Sequence, residues 1–122
     1  MIRGIVNSRR EATLSIVVGN ANGRQQVTDA VIDTGYNGFL TLPSKIITTL
    51  DLSWNASDIL TLGDGSAAVF DLYAAIIHWD GQCREIDVAE SETDPLIGMA
   101  LLNGYRLQVD AIVGGIVRVE SL

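Results

Sequence analysis

Residues 30–40 read Ala30-Val31-Ile32-Asp33-Thr34-Gly35-Tyr36-Asn37-Gly38-Phe39-Leu40. An apolar strand runs into a carboxylate, and the chain then turns at once through glycine. Burial disfavours the charged form of a carboxylate, so one placed at the end of a buried strand implies chemistry or a hydrogen-bond network that uses it. Further along, Pro95-Leu96-Ile97-Gly98 supplies a second apolar-apolar-glycine block. Asp-Thr-Gly alone is a weak tripeptide. Its strand context and the later block give it meaning.

Around these blocks, turn signals recur at short intervals: Asn20-Ala21-Asn22-Gly23, Asn37-Gly38, Gly63-Asp64-Gly65, Asp80-Gly81, Asn103-Gly104 and Gly114-Gly115. Asn-Gly and Asp-Gly supply the positive φ angles that tight hairpins need. Between them lie stretches rich in Val, Ile, Leu and Thr. Strands are predicted near residues 2–7, 12–18, 25–32, 39–41, 59–62, 67–79, 82–89, 105–109 and 116–119. Arg84-Glu85-Ile86-Asp87-Val88 alternates polar and apolar, as a half-buried strand does. Helix is scarce. One short helix is expected from Pro43 to Leu50, with proline at its first position, and another over Met99–Leu102, stopped near Asn103-Gly104. Many short strands with regular turns predict an all-β barrel or sandwich. Linkers, repeats and low-complexity segments are missing, so residues 1–122 read as a single domain.

The 122 residues are enough for one modest core, and 48% of them are hydrophobic, which excludes a disordered chain. Fifteen Asp and Glu stand against 8 Lys and Arg, a formal charge of -7, and the basic residues are scattered. That argues against nucleic acid as a partner. Cys83 is the single cysteine, so neither an intrachain disulfide nor a thiolate metal cage within one chain can form. A free thiol fits a reducing cytoplasm. No early segment resembles a secretory signal, and no apolar run approaches the roughly 20 residues that span a bilayer as a helix. The expectation is a soluble, cytoplasmic protein with no membrane partner, no metal and no cofactor.

Val31-Ile32-Asp33-Thr34-Gly35-Tyr36-Asn37-Gly38-Phe39-Leu40-Thr41-Leu42-Pro43 resembles the active-site block of retropepsin-like aspartic proteases, in the form found in bacterial single-domain members. Leu96-Ile97-Gly98-Met99, Leu101-Leu102 and Gly104-Tyr105-Arg106-Leu107 are similar to the family's second block. The similarity runs from about Val27 to Glu120 in the expected order. It implies the retropepsin-like acid protease fold: all-β, a compact closed barrel-like domain with one short helix near the C-terminus, working as a homodimer. It implies aspartic endopeptidase activity on extended polypeptide. The catalytic residues would be Asp33, Thr34 and Gly35. Leu96, Ile97 and Gly98 would cross beneath the aspartate loop, with Gly98 allowing the close approach.

Acid proteases hold a water between two aspartates, one taking its proton while the other, protonated, polarises the scissile carbonyl. Such a pair shares one proton, and activity fades as pH rises enough to remove it. Asp-Thr-Gly occurs once here; Asp51-Leu52-Ser53, Asp58-Ile59-Leu60, Asp64-Gly65-Ser66 and Asp110-Ala111-Ile112 do not repeat it. The resemblance therefore implies two chains with Asp33 from each on a two-fold axis. Thr34 would donate its hydroxyl across that axis, and Gly35 would offer an amide. The chain departs from the viral members, which carry a small residue where Tyr36 stands and Arg followed by Asn or Asp where Met99 and Ala100 stand. These departures keep open an alternative: a weak or inactive dimer of the same fold that binds peptides or serves assembly.

A protease of this kind needs a lid over its cleft. The hairpin around Leu62, Gly63, Asp64, Gly65 and Ser66 lies between the two blocks, where the family's flap lies, and would pair with a peptide by main-chain hydrogen bonds. An ordinary tight hairpin is the competing reading. A phosphate loop is not, because no Gly-Lys-Ser/Thr follows. His78, alone among its kind, sits in an apolar strand and reads as packed or at a rim; with Cys83 it makes too few ligands for zinc. Trp54 and Trp79 read as core or interface anchors, and Glu90, Glu92 and Asp94 as a solvated acidic loop.

Overall fold

The computed structural model describes residues 1–61 and 63–122. The chain runs β1 (Ile2–Val6), β2 (Ala12–Gly19), β3 (Gln25–Ile32), β4 (Leu40–Leu42), α1 (Ser44–Thr49), β5 (Ser53–Thr61), β6 (Ala67–Trp79), β7 (Gln82–Glu90), β8 (Leu96–Ile97), α2 (Met99–Leu102), β9 (Tyr105–Val109) and β10 (Ile116–Ser121). The strands form one sheet in the order β5-β6-β7-β4-β8-β3-β2-β1-β10-β9. A further pairing of β2 with β6, Val17 opposite His78 and Gly19 opposite Ile76, closes six of them into a barrel. Closure leaves β1, β10 and β9 as a wing on one side and β5 as an edge on the other.

The side-chain period of two sorts the barrel strands. In β2, Leu14, Ile16 and Val18 are buried while Ser15 is exposed; in β7, Ile86 and Val88 are buried while Glu85 is exposed. The interior is completed by Leu40, Leu42, Ile77, Trp79, Ile97 and Leu101, with Val117 and Val119 from β10. Trp79 meets Tyr105 edge-on at 5.7 Å between ring centroids. The β6–β7 hairpin turns through Asp80 (φ 51°) and Gly81 (φ 79°), the two positive angles of a two-residue turn that keeps the strands' right-handed twist.

One strand decides how the barrel is joined. β8 has two residues, yet it lies between β3 and β4: Val31 and Ile32 pair in parallel with Leu96 and Ile97, and Leu40 pairs antiparallel with Ile97. The segment from β3 to β4 therefore loops around the end of β8. Ile97 is fully buried there. A two-residue strand has no periodicity, which is why sequence reading finds the block and not the strand.

Other differences have local causes. Among the described residues two helices form, not only the one near the C-terminus that the resemblance implies. Pro43 is extended (φ -70°, ψ 156°) and precedes α1 rather than opening it. It carries no capping side chain, and the amide of Ser44 instead donates to Glu92 Oε1 at 2.9 Å. Hydrogen bonding by the Ser44 side chain, and then by its amide, holds the Glu92 carboxyl below the usual carboxylate range. Glu92 thus tethers the acidic loop to a helix end that favours negative charge. β5 begins at Ser53, six residues before the expected start, because its first half alternates weakly and bulges between Trp54 and Ala56. Trp54 is exposed and donates to Asp71 Oδ1, so it is not a core anchor, whereas Trp79 is.

Gly98 is where the threading is tightest. A Cβ there would overlap the Gly38 carbonyl oxygen and lie 2.6 Å from Tyr36 Cδ2 and 2.8 Å from the Tyr36 carbonyl oxygen. Two of those three atoms are backbone, which cannot swing aside. Gly98→Ala is expected to destabilise the protein by about 3 kcal/mol in chemical denaturation, the upper range for overpacking. A cost under about 1 kcal/mol would show that the crossing has slack.

Candidate functional site

Asp33 leaves the end of β3 with its amide bonded to the Ile97 carbonyl at 2.9 Å. Its carboxylate oxygen Oδ1 accepts the Gly35 amide at 2.9 Å. The Tyr36 amide returns to the Asp33 carbonyl at 3.1 Å, closing a tight loop. Asp33 is half-buried, while Thr34 and Gly35 are exposed. A Cβ on Gly35 would sit 3.3 Å from Asp33 Oδ1, tight but not forbidden. At Gly35 the main contribution is thus the amide aimed at the carboxylate.

The loop is pinned from below by the start of α2. Met99 donates its amide to the Tyr36 carbonyl at 2.8 Å, Ala100 to Gly38 at 3.1 Å, and Gly98 to Phe39 at 3.0 Å. The first amides of a helix have no partner within it, so the aspartate loop and α2 satisfy each other. This bracing is entirely main-chain, and it operates with Met99 and Ala100 in place. Thr41, a buried polar residue, accepts the Leu96 amide on its hydroxyl at 3.0 Å and ties β4 to β8. Leu96, Ile97 and Gly98 are therefore adjacent to the Asp33 loop, joined by backbone hydrogen bonds.

Tyr36 folds back across the loop. Its ring fills the space beside Gly38, where a Cβ would overlap the phenol, and it touches Gly98. Gly38 lacks the positive φ that its Asn-Gly context suggests; space for Tyr36 is what it provides. Burial pushes the Tyr36 phenol up to about 12.

Two open pockets flank this ring. One, of about 300 Å³, is lined by Asp33, Gly35, Tyr36, Thr41, Leu96, Ser91 and Thr93, and is roofed by Thr61, Gly63 and Phe70 of the β5–β6 hairpin. The other, of about 380 Å³, is lined by Tyr36, Asn37, Gly38, Phe39 and Ala100 below and by Asp58, Ile59, Thr61, Leu72 and Asp87 above. The β5–β6 hairpin thus overhangs the aspartate loop. At its tip Gly65 has φ +85°, and Asp64 accepts from both the amide and the hydroxyl of Ser66, bonds that hold its carboxyl below the ordinary range. Of the expected flap residues, Gly63 shares a pocket with Asp33, and Asp64, Gly65 and Ser66 do not line it. Leu62 lies outside the described residues. Phe70, Thr41, Ser91 and Thr93 were missed by sequence reading. Phe70 could have been found as the alternate inward position of a long strand; the other three are placed by tertiary contacts alone.

No group of three or more His, Cys, Asp or Glu among the described residues could hold a metal ion. His78 and Cys83 face each other across β6 and β7 and are both exposed, away from Asp33. No helix among the described residues is long and apolar enough to cross a membrane. No protein-family model, curated protein or solved structure matches the chain.

The half-buried phenol makes a prediction about alkaline pH. The folded protein keeps the Tyr36 proton up to about 12, while the unfolded chain releases it near its ordinary value of 10.0. The unfolded state then binds fewer protons, so stability falls as pH rises from 10 towards 12. Tyr36→Phe should flatten that part of the stability-against-pH curve. An unchanged slope would show that the phenol is not the group responsible.

Proposed function

We propose that this chain is an aspartic endopeptidase that works as a homodimer and hydrolyses peptide bonds in extended polypeptide. The observation that carries the reading is Asp33 itself: a carboxylate fixed at a strand end by the Gly35 amide, on a loop locked by Gly98, and open to a roofed pocket. Carboxylate, rigid support and overhanging hairpin are the parts that water-activating acid chemistry requires.

One chain supplies one such aspartate, and the chemistry needs two. In the proposed dimer the exposed Thr34-Gly35 turns meet at a two-fold axis and bring the two Asp33 carboxylates around one water. Like charges that close share a proton; the ionised partner takes the water's proton and the protonated one polarises the carbonyl. The closed six-stranded barrel and the β8 crossing are compatible with a retropepsin-like fold and support this reading. Cytoplasmic location fits the exposed free Cys83.

A second reading, a dimer of this fold that binds peptides without cutting them, is favoured by Ala100. It leaves α2 with no carboxylate or amide side chain to brace a partner subunit.

Purified wild type and Asp33→Asn should be compared on a diverse peptide library between acid and neutral pH. The peptidase reading expects cleavage by wild type to fade towards alkaline pH, and the variant to lose at least about a thousandfold in rate. Equal cleavage by the variant contradicts the mechanism, and peptide binding with no turnover favours the second reading.

A further inference from the structure

The two pockets beside Tyr36 differ in charge. The pocket that contains Asp33 is otherwise walled by apolar and hydroxyl side chains such as Phe70, Leu96, Thr41 and Thr61. Its neighbour carries two carboxylates, Asp58 from β5 and Asp87 from β7, and no Lys or Arg. Neither carboxylate is in an ion pair among the described residues. Each has a neutral donor: Asp58 accepts the Ile59 amide at 2.8 Å, and Asp87 accepts Asn55 Nδ2 at 2.9 Å. These bonds orient the oxygens and leave the negative charge uncompensated. Tyr36 and Phe39 add aromatic surface to the same pocket. Carboxylates above aromatic walls, in a cavity with no cation of its own, match the chemistry of a Lys or Arg side chain: an aliphatic stem, a charged head and attraction to π faces.

We infer that this second pocket is a specificity site that takes a basic side chain of the substrate, with an apolar residue of the same peptide entering the Asp33 pocket. The inference rests on the peptidase reading and adds a substrate class to it: extended polypeptide carrying a Lys or Arg beside an apolar residue. Tyr36 is the divider. Because it lines both pockets, it holds the two side chains apart and sets their spacing along the peptide. The chain's formal charge of -7 acts in the same direction by favouring the approach of basic substrates. Asp58 is exposed, so the gain from each charge pair is modest, about fivefold in affinity, and it weakens with added salt.

The test uses fluorescein-labelled peptides of one apolar sequence carrying Lys, Met or Glu at successive positions. Binding is read by anisotropy on the Asp33→Asn protein, and cleavage is read on the wild type. The expected result is that Lys at one position binds about fivefold tighter than Met, with Glu weaker than both, and that Asp58→Lys reverses the order. Lys binding no better than Met at any position, or a preference unchanged in Asp58→Lys, overturns the inference. Cleavage by wild type without charge preference overturns it and leaves the peptidase reading standing. Charge-selective binding without cleavage does the opposite, and peptides that neither bind nor are cut overturn both.

Discussion

The close passage of Gly98 beneath the Asp33 loop is the constraint on which the rest of the molecule depends. β8 contributes two residues, and both β3 and β4 pair with it. Without that strand the barrel would be open between β3 and β4, and the loop from Thr34 to Phe39 would have nothing beneath it. With it, the carbonyls of Asp33, Tyr36, Gly38 and Phe39 and the amides of Asp33, Tyr36, Gly98, Met99 and Ala100 all have backbone partners. A carboxylate on such a loop has little freedom to move. Positioning of that kind is costly to build from side chains alone and is obtained here from the main chain.

The same constraint organises the cleft. Because residues 34–39 are held against α2, the Tyr36 ring has one place to go, between Gly38 and Gly98. From there it separates the Asp33 pocket from the acidic one. The β5–β6 hairpin covers both pockets from the other side, and its Thr61 lines each of them. An extended peptide laid between loop and hairpin would have its main chain near the hairpin's strands and alternate side chains directed into different pockets. The proposed hydrolysis and the proposed selectivity thus draw on one structural device: a loop too tightly held to rearrange and a residue at its centre large enough to divide the space above it.

Much of this was legible in the sequence, and the limits have physical causes. The all-β class followed from turn residues at short intervals, which left barrel and sandwich both open, and the hairpin at Asp80-Gly81 from the need for two positive φ angles. The aspartate turn and the glycine block were legible as motifs because each needs particular residue types: a carboxylate, a residue without a Cβ. The first half of β5 was not, since Trp54-Asn55-Ala56-Ser57 alternates weakly and bulges. Pro43 was misplaced by one position because proline suits both the residue before a helix and the first within it. The contribution of Thr41, Ser91 and Thr93 to the Asp33 pocket was illegible, because their proximity to Asp33 comes from the barrel's closure and not from spacing along the chain. The convergence of Asp58 and Asp87 on the pocket beside Tyr36 has the same origin.

The central claim is that catalysis needs Asp33 from two chains, and the most direct measurement of it is specific activity against protein concentration, followed alongside sedimentation. The account predicts that activity per milligram falls on dilution and tracks the dimer fraction. It also predicts that a mixture of wild type and Asp33→Asn loses activity in the proportion expected of random pairing. Constant specific activity from a species that sediments as a monomer would contradict it.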